Sequence, residues 1–391
     1  MKATARVPAH SRKGMPLALI ALGALLPAVT GAGVWTLEPQ LSTSADYSSN
    51  PQLRESPQSG HSAALLGGLP VAWDDGAQHI DLAPSVRIAK ADGDYYSNTN
   101  AYYVASSGTL QDERATLKAT VRWAKDSTVL LEPTTGTLTR LDLPRRTEGA
   151  SAEAQVNLSL RSSLDITVSN ESVGYSGGLP FGIYDYKDQS VQATLSHAWT
   201  ERRQLELVVG GSSYDAGEIG FTSRDSYAQF GLVEKLTARW TVTALAGVSQ
   251  ASMGGGPQES PRGGVYQLSL KGISETGALT LSAARVLQPS AYGTMVKSTN
   301  YTAQGSWRDS ERGSVEANVR VAHTSDVFGT VSFATQSYVS GSVVRAWRAT
   351  PEWTVAALVG WQRARLNPED TLGRGWSTSL TLTRKFGKVR V

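Results

Sequence analysis

Five histidines, His10, His61, His79, His197 and His323, are the residues of this 391-residue chain best suited to metal binding or proton transfer. They are scattered. No HxH or HxxxH spacing sets two rings on one face of an element, so no metal site is expected. Serine is abundant, but the one GxSxG spelling, GYSGG at 174–178, precedes no helical pattern, as the nucleophile elbow of a hydrolase would require. A hydrolase would have to assemble a Ser/His pair across elements, with His197 as its candidate; an interfacial histidine is the simpler reading. The glycines of GSSYDAGEIG (211–220) and GGGP (254–257) precede no helical pattern that could supply a dipole to a phosphate. The sequence therefore points to no cofactor and no enzyme. With a formal charge of +3 and no basic run, it gives no sign of a nucleic-acid partner either.

What remains is a set of charges recurring on one parity of alternating segments. Arg87, Lys118, Arg122, Arg161, Lys271, Arg320 and Lys385 fall on the polar parity, with Asp81, Glu153, Asp165, Glu206 and Glu316. If that parity faces a watery interior, bases are modestly in excess, and the field favours anions. The alternative is that these charges pair across neighbouring strands. Arg363 and Arg365 share the parity of Trp361 and belong to an outer rim. Residues 125–149 read as the longest loop. It carries Arg140, Arg145 and Arg146, and it either folds inward as a constriction or stays solvated outside.

The elements that position these charges follow from a period of two. In 35–47, Trp35, Leu37, Leu41, Ala45 and Tyr47 alternate with Thr36, Glu38, Gln40, Ser42, Ser44 and Asp46. Segments 79–89, 115–123, 152–161, 191–199, 240–248, 315–321, 353–361 and 376–382 repeat the pattern, which is that of half-buried strands. SAALLGGLPVAW (62–73) is apolar on both faces, and NAYYVASS (100–107) fits either register. Short polar connections alternate with longer ones rich in Gly, Ser, Asn, Pro or Tyr. This predicts an all-β fold of about 18 strands, with eight short turns on one side, nine longer loops on the other, and both termini on the short-turn side. Trp35, Trp73, Trp199, Trp240, Trp307, Trp347 and Trp353 mark the short-turn ends, and Tyr47, Tyr95, Tyr96, Tyr175, Tyr184, Tyr186, Tyr214, Tyr227, Tyr292 and Tyr301 mark the other ends. Two aromatic levels are what girdles at the two membrane interfaces require.

The amino terminus agrees. Lys2, Arg6, Arg12 and Lys13 precede PLALIALGALLPAV and a small-residue TGAG, the form of a secretory signal over residues 1–32. No cysteine is present to staple the mature chain, 33–391. The expected architecture is a transmembrane antiparallel up-and-down β-barrel in a Gram-negative outer membrane, with short periplasmic turns and longer extracellular loops. Outer-membrane lipid meets the apolar parity. Closure is forced, because an unpaired sheet edge in hydrocarbon costs several kcal/mol per group.

A mature start of Trp35, Leu37, Pro39 and Leu41, then Tyr47, Ser48, Ser49 and Asn50, with the ending LTLTRKF, resembles outer-membrane porin-like barrels that accompany exopolysaccharide biosynthesis and export systems. That resemblance implies a channel passing a secreted polysaccharide, working with periplasmic export and copolymerase proteins. It carries over no catalytic residues. The last strand, ending on Phe386, also resembles the signal read by barrel assembly machinery, although GKVRV follows it here. Two other functions compete: a general or anion-preferring diffusion porin, and a structural or adhesive barrel whose outer loops bind partners.

Overall fold

In the computed structural model, residues 33–390 are described apart from 52, 54, 93–99, 129–141, 255–260, 329–335 and 366–372. The expected signal, Arg140, Tyr95 and Tyr96 lie outside the described residues. The chain forms β1 (Val34–Leu37), β2 (Gln40–Ser48), β3 (Gly60–Gly68), β4 (Val71–Asp74), β5 (Gln78–Ala91), β6 (Asn100–Gln111), β7 (Ala115–Ser127), β8 (Pro144–Asn157) and β9 (Ser162–Tyr175). It continues with β10 (Tyr186–Ala198), β11 (Arg203–Ala216), β12 (Phe221–Lys235), β13 (Trp240–Met253), β14 (Arg262–Ile273) and β15 (Gly277–Ser290). The remaining segments are β16 (Thr294–Arg308), β17 (Gly313–Asp326), β18 (Gln336–Arg348), β19 (Trp353–Arg365), β20 (Gly373–Lys385) and β21 (Val389–Arg390).

These segments make 18 spanning strands. Pro39 separates β1 from β2 and Pro70 separates β3 from β4, because proline has no N–H to give to a ladder. The register runs straight through both gaps: Gln40 faces Gly68 and Leu37 faces Val71. β21 continues β20 after residues 386–388 and pairs with β1. Every other strand pairs antiparallel with its neighbours in sequence. β2 pairs with β20, Ser44 opposite Thr381, which closes the ring. Short turns and long loops alternate as the sequence predicts.

Closure leaves two faces. Outward parity carries Leu65, Val86, Val168, Leu207, Val319, Val343, Val359 and Leu380; Val359 is 61% exposed and Leu380 56%. A water-soluble protein does not expose so continuous a belt of aliphatic side chains. Hydrocarbon covers such a belt in an outer-membrane barrel. Trp35, Trp199, Trp240, Trp307 and Trp347 are exposed at its short-turn edge, and Trp353 begins β19 at the same level. Trp73 departs from the expected girdle. It is 1% exposed, covered by Trp35 at 6.3 Å between ring centroids and by the backbone at Gly33. At the other edge Trp361 lies opposite Trp376, and Tyr47 packs 4.9 Å from Trp376.

Two placements from sequence need correction. Alternation through 152–161 put Arg161 on a strand. The chain instead reverses at 158–161, where Leu158 N–H and Ser159 N–H donate to the Ser162 carbonyl at 2.9 and 3.1 Å. Arg161 is exposed in that turn and does not line the interior. Arg145 and Arg146, assigned to a loop, lie on β8, because the β7–β8 ladder continues to Ser127 opposite Pro144.

Candidate functional site: the lumen and its outer mouth

Directly opposed residues of an antiparallel pair point to the same side, so the ladder assigns every strand side chain to lipid or lumen. Arg87, Lys118, Arg122, Lys271, Arg320 and Lys385 share the lumen parity, as do Asp81, Glu153 and Glu316. Lys118 stands opposite Glu153. Arg320 donates to Asn300 Oδ1 at 3.2 Å. Asp81 accepts from Ser107 at 3.4 Å and lies 2.9 Å from His79 Nε2.

The expected excess of base is not found. The same parity carries Asp126, Glu171, Asp188 and Asp225, which alternation alone had not singled out, and Asp46, which lay on the polar face of 35–47 but was not counted among the acids. The charges are unevenly spread. Asp165, Glu171, Asp188, Glu206 and Asp225 make β9 to β12 predominantly acidic, whereas on β5 to β8 Arg87, Lys118, Arg122 and Arg145 are interleaved with Asp81, Asp126 and Glu153. Several acids sit near loop ends or in Ser-rich strands, where flanking apolar residues are too few to fix parity by eye.

Large polar side chains reach across this wall where the intervening strand offers glycine. Arg122 of β7 crosses Gly149 of β8 to ion-pair with Glu171 of β9. A Cβ at Gly149 would lie 2.7 Å from Arg122 Nε. Tyr227 of β12 lies over Gly210 of β11 and donates to Gln192 Oε1 of β10 at 2.6 Å. Near the mouth Arg145 grips Asp126 through two hydrogen bonds, Nε to Oδ1 at 2.9 Å and Nη2 to Oδ2 at 2.8 Å, both side chains buried. Arg146, one residue on, faces outward and pairs with Glu148.

The mouth is narrowed by the tip of the β15–β16 hairpin. Both faces of the tip are buried: Ser290, Ala291, Thr294, Met295 and Val296 have no exposed surface. Tyr214 of β11 donates its hydroxyl to the Ser290 carbonyl at 2.8 Å, and Tyr184 N–H donates to the Ala291 carbonyl at 2.9 Å. Val173, Tyr186, Tyr214, Ala216 and Met295 form one cluster, with Phe221, Leu287 and Phe328 packed on it. Leu143, Ile183 and Ala291 form another. Gly293, at φ 73°, makes the reversal. The expected outer tyrosine girdle therefore divides. Tyr47 and Tyr301 face lipid, while Tyr175, Tyr186 and Tyr214 have lumen parity and build the mouth. The constriction is thus assembled by the 291–293 turn and the loops that meet it.

His197 faces outward, its Nδ1 2.9 Å from Ser162 Oγ. His323 and Ser337 make the same contact at 2.9 Å near the opposite rim. Recurrence at unrelated places is what cross-strand sheet hydrogen bonds produce.

No protein-family model matches the chain, and none of the curated proteins does. Solved structures are similar to it. The outer membrane protein OpdK from Pseudomonas aeruginosa aligns over 91% of this chain and 99% of its own, at 11% identity and a TM-score of 0.49. A BenF-like porin from Pseudomonas fluorescens Pf-5 aligns over 91% and 98%, at 8% identity and 0.49. Acinetobacter baumannii OccAB3 aligns over 91% and 99%, at 10% identity and 0.46. By its own closed ladder and apolar belt, the chain is an 18-stranded outer-membrane β-barrel.

Proposed function

We propose that this barrel is a passive channel for small polar solutes. The observation that carries the reading is a closed ring of 18 strands whose inner face is mostly Ser, Thr, Gln, Asn, charge and small residues, with few large aliphatic side chains. At about 4.8 Å between strands and about 40° of tilt, such a ring is roughly 35 Å across between backbones, more than side chains alone can fill. An acidic arc over β9 to β12, beside a mixed arc over β5 to β8, favours solutes that carry an amine, zwitterions among them, which can orient as they pass. The acids of β9 to β12 outnumber the bases they contact, so weak cation preference replaces the anion preference expected from sequence.

Polysaccharide export takes second place. It rests on the amino-terminal motif and the polar lumen, and the apolar cluster in the mouth obstructs a polymer more than a small solute. Periplasmic export and copolymerase partners belong to that reading only. In either case Leu380, Leu382 and Phe386 on one face of the last strand suit recognition by barrel assembly machinery. Liposome swelling tests the first reading: amino acids and monosaccharides should enter liposomes containing the barrel. A deletion strain lacking surface glycan, with liposomes that do not swell, would reverse the order.

A further inference from the structure

We propose that the barrel wall opens sideways between β14 and β15, and that the recess behind the opening takes an amphipathic amine from the outer leaflet. The ladder is the first observation. β14 and β15 pair from Ile273 opposite Ala278 up to Tyr266 opposite Arg285, and there the pairing stops. Both strands continue. Residues 262–265 stay paired with β13, and 286–290 stay paired with β16 as that hairpin leans into the lumen. The Arg285 guanidinium, 5.3 Å above the Tyr266 ring, marks the lower end of the seam.

The seam begins within the apolar belt. Gly264 lies opposite Val248, which is 68% exposed on the outer face, and a Cβ at Gly264 would meet nothing within 4 Å. Unpaired backbone at this depth is tolerated where it is buried in protein or lines a watery cavity. Such a cavity is present: a recess of about 400 Å³ between the leaning hairpin and the inner wall of β10 to β14. Its near side is Val265, Val286 and Leu287, and its far side carries Asp188 and Asp225. No lysine or arginine lines it. Asp188 Oδ1 is buried and has no hydrogen-bond partner among the described residues. Entry through lipid demands an apolar tail, and two carboxylates without a base demand a cationic head. The route is transverse to the pore.

The test uses the full barrel in phosphatidylcholine nanodiscs and two probes, an undecylamine and an undecanol each carrying a dansyl group at the tail. Energy transfer from the barrel's tryptophans reports uptake, with empty nanodiscs as background. Saturable binding of the amine, with at least tenfold weaker binding of the alcohol, is expected. Asp188→Asn with Asp225→Asn should weaken amine binding at least tenfold. For the entrance, Gly264→Cys is folded first and then labelled with a bulky maleimide; the chain has no other cysteine. The label should slow amine association at least tenfold and leave pore conductance unchanged. Equal binding of amine and alcohol, or no binding above empty discs, would refute the recess as an amine site. Unchanged association after labelling would refute the lateral entrance.

Discussion

Arg122 and Glu171 are joined across a strand to which neither belongs, and they meet only because Gly149 lies between them. Glu171 is almost wholly buried while Arg122 is half exposed, so the acid depends on the pair more than the base does. Gly149→Val should force the guanidinium away and strand a buried carboxylate. A destabilisation of about 2 kcal/mol is expected, the scale of a buried charged group losing its partner, discounted for the exposed arginine. Urea unfolding in detergent would measure it, and Glu171→Gln should recover most of the loss in the Gly149→Val background. No recovery would mean that the valine acts on the ladder alone.

The Arg145–Asp126 pair makes a sharper case, since both partners are buried. Asp126→Ala leaves an arginine without its bidentate acceptor and should cost about 3–5 kcal/mol. Replacing both, as Asp126→Leu with Arg145→Met, should recover much of that. A double substitution as damaging as the single one would show that Arg145 is held mainly by other contacts.

Adjacent residues test the assignment of faces. Leu380 points to lipid and Ser379 to the lumen. Leu380→Arg should destabilise the barrel by roughly 2–4 kcal/mol if it lies near the bilayer midplane, whereas Ser379→Arg should fold normally and alter conduction. The reverse outcome would mean the faces are exchanged.

Much of this was legible in the chain itself, and the reason is physical. Strands such as 115–123 and 376–382 meet lipid on one side and water on the other, so a single pattern reports both fold and environment. Where that contrast fails, so does the reading. In β3 the lumen positions Ala64 and Leu66 are apolar, and 62–73 gives no parity. Tyr102 and Tyr103 are chemically alike, and only the ladder turns the first to lipid and the second inward. Mouth tyrosines match girdle tyrosines in type and level, and differ only in parity. Arg161 was misplaced because Leu158 and Leu160 extend the alternation into a turn. The leaning β15–β16 tip leaves no trace in local pattern, since its contacts with Tyr184 and Tyr214 are long-range.

Selectivity should follow the acidic arc. Neutralising Asp188, Glu206 and Asp225 together should move the reversal potential in a salt gradient towards anions, and Lys118→Gln with Arg320→Gln should move it towards cations. A reversal potential indifferent to the three carboxylates would place the ionic path away from β9 to β12.

The mouth should respond to one hydroxyl. Tyr214→Phe removes the bond to the Ser290 carbonyl, worth about 1 kcal/mol, and should loosen the tip without unfolding the barrel. More frequent opening and closing events in single-channel records are expected. Records identical to the parent's would mean that apolar packing around Met295 alone fixes the tip.

Planar-bilayer conductance tests the central claim most directly. Purified barrel should conduct, and deletion of residues 291–293 with a short glycine link should raise the conductance. A correctly folded barrel that carries no current in either form would contradict the account of a water-filled channel narrowed by that hairpin.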